Sequence, residues 1–273
     1  MDPQVNLYAL QERLAEQIDA GMLEVYLCLH DLASGRMIEI NGQRRFYPAS
    51  LIKLLLLLVV LEQLERGRLS LDDTHTLSEA DLYAGSTLVT GSGVLQFAKT
   101  GTCFTLAELL AKMISISDNV ATNILYQAVG ARRINAAARR LGLRNTAFTR
   151  RMYELDSPLP SNVSTACDLT RLLTALYAGQ AAGQKMSAFG IELMRAAVDK
   201  ERIGRYIRHT VDVANKVGTV SGIVGDAALL FFPRRPPAAL TIVVKDPPEQ
   251  ENAARLIGKL AALAAQTLQE AGP

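Results

Sequence analysis

The sequence carries strand-like segments only near its two ends, and this arrangement constrains the fold more than any other feature. Two segments near the N-terminus, residues 23–32 and 37–40, are joined by a turn that begins at Asp31. Three more follow in the last third of the chain, at residues 211–217, 227–232 and 239–244, with a turn at residues 233–237. An isolated two-stranded hairpin is barely stable in water. We therefore expect the N-terminal hairpin to pair with the C-terminal strands in one antiparallel sheet.

The segment between these strands has helical periodicity with short polar breaks, and Thr105 to Glu108 has the pattern of a capping box. Apolar residues at helical spacing in residues 4–18 and 249–268 predict two terminal helices that flank the sheet. The expected fold class is therefore α+β, of the α/β sandwich type. The sheet and its helices form a discontinuous α/β lobe of residues 1–48 plus 200–273, with an all-helical lobe of residues 49–199 inserted.

The composition bounds the class of protein. The chain has 273 residues, of which 49% are hydrophobic and 21% charged, and its net charge is +2. These values are typical of a folded protein, and the scattered basic residues argue against a nucleic acid as partner. The longest apolar run, residues 54–61, is shorter than the roughly 20 residues that span a bilayer. The polar N-terminus lacks a signal-peptide pattern. We expect a monomer that is either cytoplasmic or the mature form of an exported protein.

The cysteines argue against a metal site. Cys28, Cys103 and Cys167 are odd in number and show no CxxC spacing. We therefore expect no metal and no cofactor, while one disulfide stays open. Cys28 lies in a strand-like apolar run, where a buried thiol behaves as a small hydrophobic residue.

Three short motifs could carry chemistry. Ser50-Leu51-Ile52-Lys53 opens a strongly apolar helical run, in which Lys53 shares a helix face with Ser50. Burial of this turn favours the uncharged amine, and a neutral amine beside a hydroxyl is a nucleophile–base pair. Ser117-Asp118-Asn119 begins a second helix. Lys216-Val217-Gly218-Thr219 lies on the first C-terminal strand, where a glycine often marks the close approach of another backbone.

Each motif also has a structural explanation. A helix cap followed by a solvent-reaching lysine explains the first motif, an N-cap explains the second, and a solvated strand lysine explains the third. Chance alone supplies about one SxxK in a chain of this length. All three motifs in this order, each on a suitable element, have a chance rate of about one in a thousand or less. The conjunction therefore favours an enzyme with Ser50 as nucleophile.

At these residues the chain resembles the penicillin-recognising serine hydrolases, and among them the class A β-lactamase-like proteins, which carry the same three signatures. The resemblance covers nearly the whole chain and includes Phe46-Tyr47-Pro48-Ala49, residues 91–95 and residues 119–123. It implies the β-lactamase/transpeptidase-like fold and attack on β-lactam amides through an acyl-enzyme. The implied roles are Ser50 as nucleophile, Lys53 as base, Ser117 as proton relay, Asn119 for the substrate's side-chain amide, Lys216 for its carboxylate, and the N–H groups of Ser50 and Thr219 as the oxyanion hole. Gly218 is expected beside the bound substrate because a substrate that lies along the strand needs this close approach.

Two positions depart from the class A pattern. Val217 stands where that family has a hydroxyl residue that binds the substrate carboxylate. The loop at residues 150–164 is short, and Glu154 lies one residue away from the family spacing relative to Arg151. Glu154 is nevertheless the candidate base for deacylation, and without such a base the acyl-enzyme would be hydrolysed slowly. Asn162 is expected to anchor the loop.

Three functions stay open at this point. The first is a β-lactamase. The second is a D-alanyl-D-alanine peptidase, or another amidase or esterase, which would form a long-lived penicillin adduct. The third is a binding protein that retains the scaffold without catalysis. The expected ligand is a small molecule, either a β-lactam or a peptidyl-D-alanine-like substrate.

Overall fold

The computed structural model describes residues 6–270, which divide into two compact units. The first unit comprises residues 6–51, Ser164–Thr174 and 199–270, and the second comprises Ile52–Val163 and Ala175–Val198. The sequence predicted a helical lobe of residues 49–199, which includes Ser164–Thr174 because of the helical periodicity there. The structure differs most from this prediction at Ser164–Thr174. This stretch belongs to the first unit because its side chains bond the sheet: the Thr170 hydroxyl donates to the Cys28 carbonyl over 3.1 Å.

The first unit contains a five-stranded antiparallel sheet. Across the sheet its strands are β2 (Arg36–Ile40), β1 (Glu24–Asp31), β9 (Arg235–Lys245), β8 (Ile223–Phe232) and β7 (Asp212–Val220). β1 pairs with β9 in a register that sets Cys28 opposite Thr241. The predicted pairing of the N-terminal hairpin with the C-terminal strands is therefore confirmed.

The turn between β8 and β9 is shorter than the sequence predicts. Its prolines indicated a five-residue turn at residues 233–237, but Phe232 pairs directly with Arg235, so only two residues form the loop. Pro236 and Pro237 lie in the first residues of β9. Proline cannot donate a ladder hydrogen bond but is tolerated at the start of a strand, and the Pro237 carbonyl accepts a hydrogen bond from the Leu32 N–H.

Two helices supply apolar side chains to the core of the first unit. They are α1 (Leu7–Gly21) and α8 (Gln250–Glu270). α1 buries residues spaced three or four apart, from Leu7 to Ile18, and these pack in one cluster with strand residues such as Leu240 and α8 residues such as Leu260. The predicted terminal helices are therefore confirmed. Gln4 and Val5, in the first predicted helix, lie outside the described residues.

The second unit is mainly helical. It contains α2 (Lys53–Glu65), α3 (Leu106–Ser115), α4 (Asn119–Val129), α5 (Ala131–Arg140), α7 (Gly183–Arg195) and the last turn of α6 (Ala166–Tyr177). α2 is central, since every residue from 53 to 63 is buried. α3 begins at the predicted capping box, in which the Thr105 hydroxyl accepts from the Glu108 N–H and the Glu108 carboxylate accepts from the Thr105 N–H.

The second unit also contains two small sheets that the sequence does not predict. β3 (Thr74–Thr76) pairs with β6 (Cys103–Thr105), and β4 (Tyr83–Ala84) pairs with β5 (Thr87–Leu88). Strands of two or three residues are too short to show an alternating pattern. Gly85, in the two-residue turn between β4 and β5, has a φ of +64°, as such tight hairpins require.

The described part of the chain has neither a membrane-spanning helix nor a metal-binding cluster. Within residues 6–270, no helix is long and apolar enough to cross a membrane. The same residues hold no cluster of three histidine, cysteine or acidic side chains that could bind a metal ion. All three cysteines, which lie in this range, are free thiols.

Candidate active site

Ser50 lies in a short 3-10 helix, Ala49–Ile52, that runs directly into α2. Its neighbours Leu51 and Ile52 are fully buried, whereas Ser50 itself is partly exposed. Ala49 has a φ of +46°, which a residue with a side chain rarely adopts. Such strain persists only where the surrounding structure holds it, and it is concentrated at functional sites. The serine therefore lies in a strained turn between buried neighbours.

Strand β7 approaches this turn at Gly218. A methyl group on Gly218 would lie 3.0 Å from the Pro48 carbonyl oxygen and 3.1 Å from the Leu51 nitrogen. Only a glycine lets the strand backbone come this close to the serine turn. Thr219, the next residue, is exposed. The first unit thus brings the serine turn and the end of β7 together.

Lys216 on the same strand is buried, with 1% of its surface exposed. Burial lowers the pKa of Lys216 to about 7, an effect that the nearby Asp226 carboxylate opposes. Asp226 is also buried, and burial raises the pKa of that carboxyl to about 6. The Asn215 side chain donates to both Asp226 oxygens over 3.1 and 3.2 Å. Both buried groups therefore change charge near neutral pH.

Arg202 is a site residue that the sequence did not reveal. Its guanidinium donates to the Gly218 carbonyl over 2.9 Å, to the Gly225 carbonyl over 2.5 Å and to the Thr219 hydroxyl over 2.5 Å. It is only 9% exposed. Arg202 stands in a segment without strand or helix periodicity, 14 residues before Lys216, so no local pattern connects it with β7.

In the second unit, Lys53 binds two residues of the Ser-Asp-Asn motif. Lys53 is 0% exposed. Its amine contacts the Ser117 carbonyl at 2.6 Å, the Ser117 hydroxyl at 3.1 Å and the Asn119 side-chain oxygen at 2.8 Å. Ser117 has a φ of +60°, a second strained position. The predicted base and two predicted site residues are therefore in direct contact.

Asp118 explains why the motif also has the pattern of a helix cap. One oxygen of its buried carboxylate accepts from the Ala121 N–H over 2.9 Å, which caps α4. The other accepts from the N–H groups of Val94 and Leu95 over 2.7 and 2.8 Å. The Asn119 side-chain nitrogen donates to the Thr90 carbonyl over 2.8 Å. Asp118 thus acts as the helix cap, whereas Ser117 and Asn119 make the contacts to Lys53.

Glu154 makes no hydrogen bond to Lys53, Ser117 or Asn119, which form a cluster in the second unit. Its carboxylate accepts from the Arg151 N–H over 2.9 Å and from the Arg151 guanidinium over 3.0 Å. The loop instead contacts α4 at Met152, whose N–H and carbonyl both bond the Asn123 side chain, over 2.8 and 3.0 Å. The Asn162 side chain bonds backbone groups of Thr149 and Arg150 at the start of the loop, as an anchor does.

Comparison with known proteins identifies the family. Residues 9–268 match the beta-lactamase enzyme family. A β-lactamase of Streptomyces lavendulae is 28% identical over 267 residues, which are 94% of this chain and 85% of that protein. The crystal structure of a β-lactamase from Sphaerobacter thermophilus matches with a TM-score of 0.87 and 27% identity, over 98% of each chain.

A shorter match is to a protein with another activity. D-alanyl-D-alanine carboxypeptidase DacC of Escherichia coli (strain K12) is 33% identical over 155 residues, which are 54% of this chain and 38% of that protein. The family match, by contrast, covers almost the whole chain. The protein therefore belongs to the beta-lactamase enzyme family and is a hydrolase of the serine β-lactamase type.

Proposed function

We propose that the protein opens β-lactam amides by transferring the acyl group to the Ser50 hydroxyl, and that it hydrolyses this acyl-enzyme slowly. The observation that carries the proposal is the buried Lys53 amine with its contacts to Ser117 and Asn119. Burying a lysine is costly unless its polar atoms are satisfied. A cluster of this kind is typical of a nucleophile–base arrangement.

The proposed base is the uncharged form of the Lys53 amine. Two of them are to carbonyl oxygens, of Ser117 and of the Asn119 side chain, and these oxygens can only accept. A neutral amine has two N–H groups for these two acceptors and keeps its lone pair for a hydroxyl. Ser50 and Lys53 are three residues apart where the 3-10 helix continues into α2, and residues at this spacing lie on one face of a helix. This spacing supports Ser50 as the hydroxyl that gives up its proton to Lys53.

In the proposed reaction, the Ser50 oxygen attacks the lactam carbonyl carbon while its proton passes to Lys53. The lactam C–N bond then breaks, and the Ser117 hydroxyl passes a proton to the leaving nitrogen and regains one from Lys53. The N–H groups of Ser50 and Thr219 are proposed to stabilise the oxyanion. The close approach of Gly218 to the serine turn supports this pairing. Losing one such donor typically costs about 10²–10³ in rate.

The substrate carboxylate is proposed to bind at Lys216 and Thr219. Val217 offers no hydrogen bond there, so affinity depends on the Thr219 hydroxyl, which Arg202 holds in place. All proposed residues belong to one chain, so a monomer suffices for the reaction.

Slow deacylation follows from the state of Glu154. Its carboxylate already accepts three hydrogen bonds from Arg151, so that residue fixes its position and takes most of its capacity to bind a water molecule. General-base assistance typically contributes about 10²–10⁴ in rate. Glu154 stays the candidate base, but its pairing with Arg151 favours a long-lived acyl-enzyme.

Mass spectrometry of the protein mixed with benzylpenicillin tests the proposal. We expect one penicillin mass added on the Ser50 peptide, persisting for minutes, and no addition to Ser50→Ala. Absence of both adduct and turnover would contradict acylation and favour the non-catalytic binding protein. Rapid return to the free mass would contradict slow deacylation.

A second candidate function is a D-alanyl-D-alanine peptidase. The pairing of Glu154 with Arg151 favours it, because such an enzyme needs no fast hydrolysis of a penicillin adduct, and the match to a carboxypeptidase supports it. Release of D-alanine from a peptide that ends in D-Ala-D-Ala, absent in Ser50→Ala, would establish this activity. Penicillin turnover without D-alanine release would exclude it.

A further inference from the structure

The Tyr153 hydroxyl lies beside Asn119 without a role in the proposed reaction. Tyr153 has a φ of +65° and a partly buried side chain. A methyl group on Gly91 would lie 2.4 Å from the Tyr153 hydroxyl oxygen and 3.3 Å from the Asn119 side-chain nitrogen. These two polar atoms are therefore within about 6 Å of each other. The Tyr153 hydroxyl can lie this close to residue 91 because that residue is a glycine.

Both groups have hydrogen-bonding capacity to spare. The Asn119 oxygen accepts from Lys53, and its nitrogen donates one hydrogen to Thr90. The second hydrogen of that nitrogen has no partner among residues 6–270. Within the same range, the Tyr153 hydroxyl makes no hydrogen bond. The Tyr153 hydroxyl oxygen is not among the fully buried atoms without a partner, so it borders accessible space. Two neighbouring groups with unused capacity there indicate a place for a polar ligand.

We propose that Tyr153 is a specificity-determining residue that binds the polar substituent on the carbon next to the substrate's side-chain amide carbonyl. The inference rests on the proposed function, in which Asn119 donates to that carbonyl. A carbonyl oxygen and a nitrogen on the adjacent carbon are close enough to bind Asn119 and Tyr153 at the same time. In a peptidyl chain this nitrogen is a backbone N–H, and in an aminopenicillin it is an ammonium group. Both donate to a phenol oxygen.

The substrate class follows from this geometry. Acyl chains that resemble a peptide, with an N–H on that carbon, gain a hydrogen bond to Tyr153. Acyl chains without a polar group on that carbon, such as phenylacetyl, leave the hydroxyl without a partner. Ampicillin and benzylpenicillin form a matched pair, because they differ by one amino group on this carbon.

The experiment compares acylation of Ser50 by the two penicillins in Tyr153→Phe, which keeps the ring and removes the hydroxyl. We expect the ratio of the ampicillin to the benzylpenicillin acylation rate to fall about tenfold. Tyr126→Phe is the matched control, since it removes a hydroxyl that donates to the Thr149 carbonyl over 3.0 Å. Its ratio should stay unchanged. Thermal unfolding of both variants shows that they are folded.

Two outcomes would overturn the inference while leaving the proposed function intact. The first is an unchanged ratio in Tyr153→Phe, whether both rates hold or both fall together. The second is an equal fall of the ratio in Tyr126→Phe, which would indicate general loosening of the loop. Failure of both penicillins to acylate the unmodified protein would instead remove the proposed function, and this inference with it.

Discussion

Replacement of Gly218 by alanine is expected to slow acylation by forcing β7 away from the serine turn. The new methyl group would lie 2.8 Å from the Leu51 Cγ, 3.0 Å from the Pro48 carbonyl oxygen and 3.1 Å from the Leu51 nitrogen. The last two atoms belong to the backbone on either side of Ser50, which cannot turn aside as a side chain can. The strand and the turn must therefore separate by a few tenths of an ångström.

The expected loss is larger in rate than in stability. Overpacking of this kind costs about 1–3 kcal/mol, and each kcal/mol lowers the unfolding midpoint of a protein of this size by about 2–4 °C. Catalysis is more sensitive, because a displacement of about 1 Å can cost about 100-fold in rate. We expect Ser50 acylation by benzylpenicillin to fall about tenfold, measured by mass spectrometry over time, with the protein still folded at 25 °C.

Gly225→Ala provides the matched control. Its methyl group would lie 3.0 Å from Leu51 Cδ1 and 3.0 Å from Val243 Cγ2, which are side-chain atoms and not backbone atoms of the serine turn. The Gly218 and Gly225 carbonyls both accept a hydrogen bond from Arg202, so the two substitutions share their surroundings. The reasoning is refuted if both variants lose acylation equally, or if Gly218→Ala reacts at the full rate.

Three further predictions concern charge, burial and capping. Because burial lowers the pKa of Lys216 to about 7, its positive charge is lost as the pH rises through that value. Acylation by penicillins, which carry a carboxylate, should therefore fall above about pH 7, and Lys216→Arg should abolish the fall, since arginine keeps its charge. The same lowering of the Lys216 pKa makes the free energy of unfolding rise between about pH 7 and pH 10.5. In this range the lysine is protonated in the unfolded chain and uncharged in the folded protein. In thiol titration with a chromogenic disulfide, the native protein should react at the exposed Cys103 only, and the unfolded protein should react also at the buried Cys28 and Cys167. Reaction of all three thiols in the native protein would contradict the burial of Cys28 and Cys167. Asp118→Ala removes the acceptor of three backbone N–H groups and should lower the free energy of unfolding by about 3 kcal/mol in a urea titration; a loss under about 1 kcal/mol would contradict this.

Features that depend on local spacing could be predicted from the sequence alone. Short apolar runs bounded by turns predicted the terminal strands, helical periodicity predicted the covering helices, and the capping pattern predicted the helix start at Thr105, because each of these signals lies in neighbouring residues of the chain. The need to pair an otherwise unstable hairpin then predicted the β1–β9 contact. The order of the three motifs indicated a nucleophilic serine.

The partners of these side chains depend instead on how the chain folds in three dimensions. Arg202 reaches the end of β7 because the chain folds back on itself, and a residue 14 positions before Lys216 shows no sign of this in its neighbours. Glu154 turns towards Arg151, and Tyr153 towards Gly91, because the loop backbone adopts a positive φ at residue 153. Loop conformation follows from contacts with distant segments, such as that of Met152 with α4, and it has no period that a sequence could reveal.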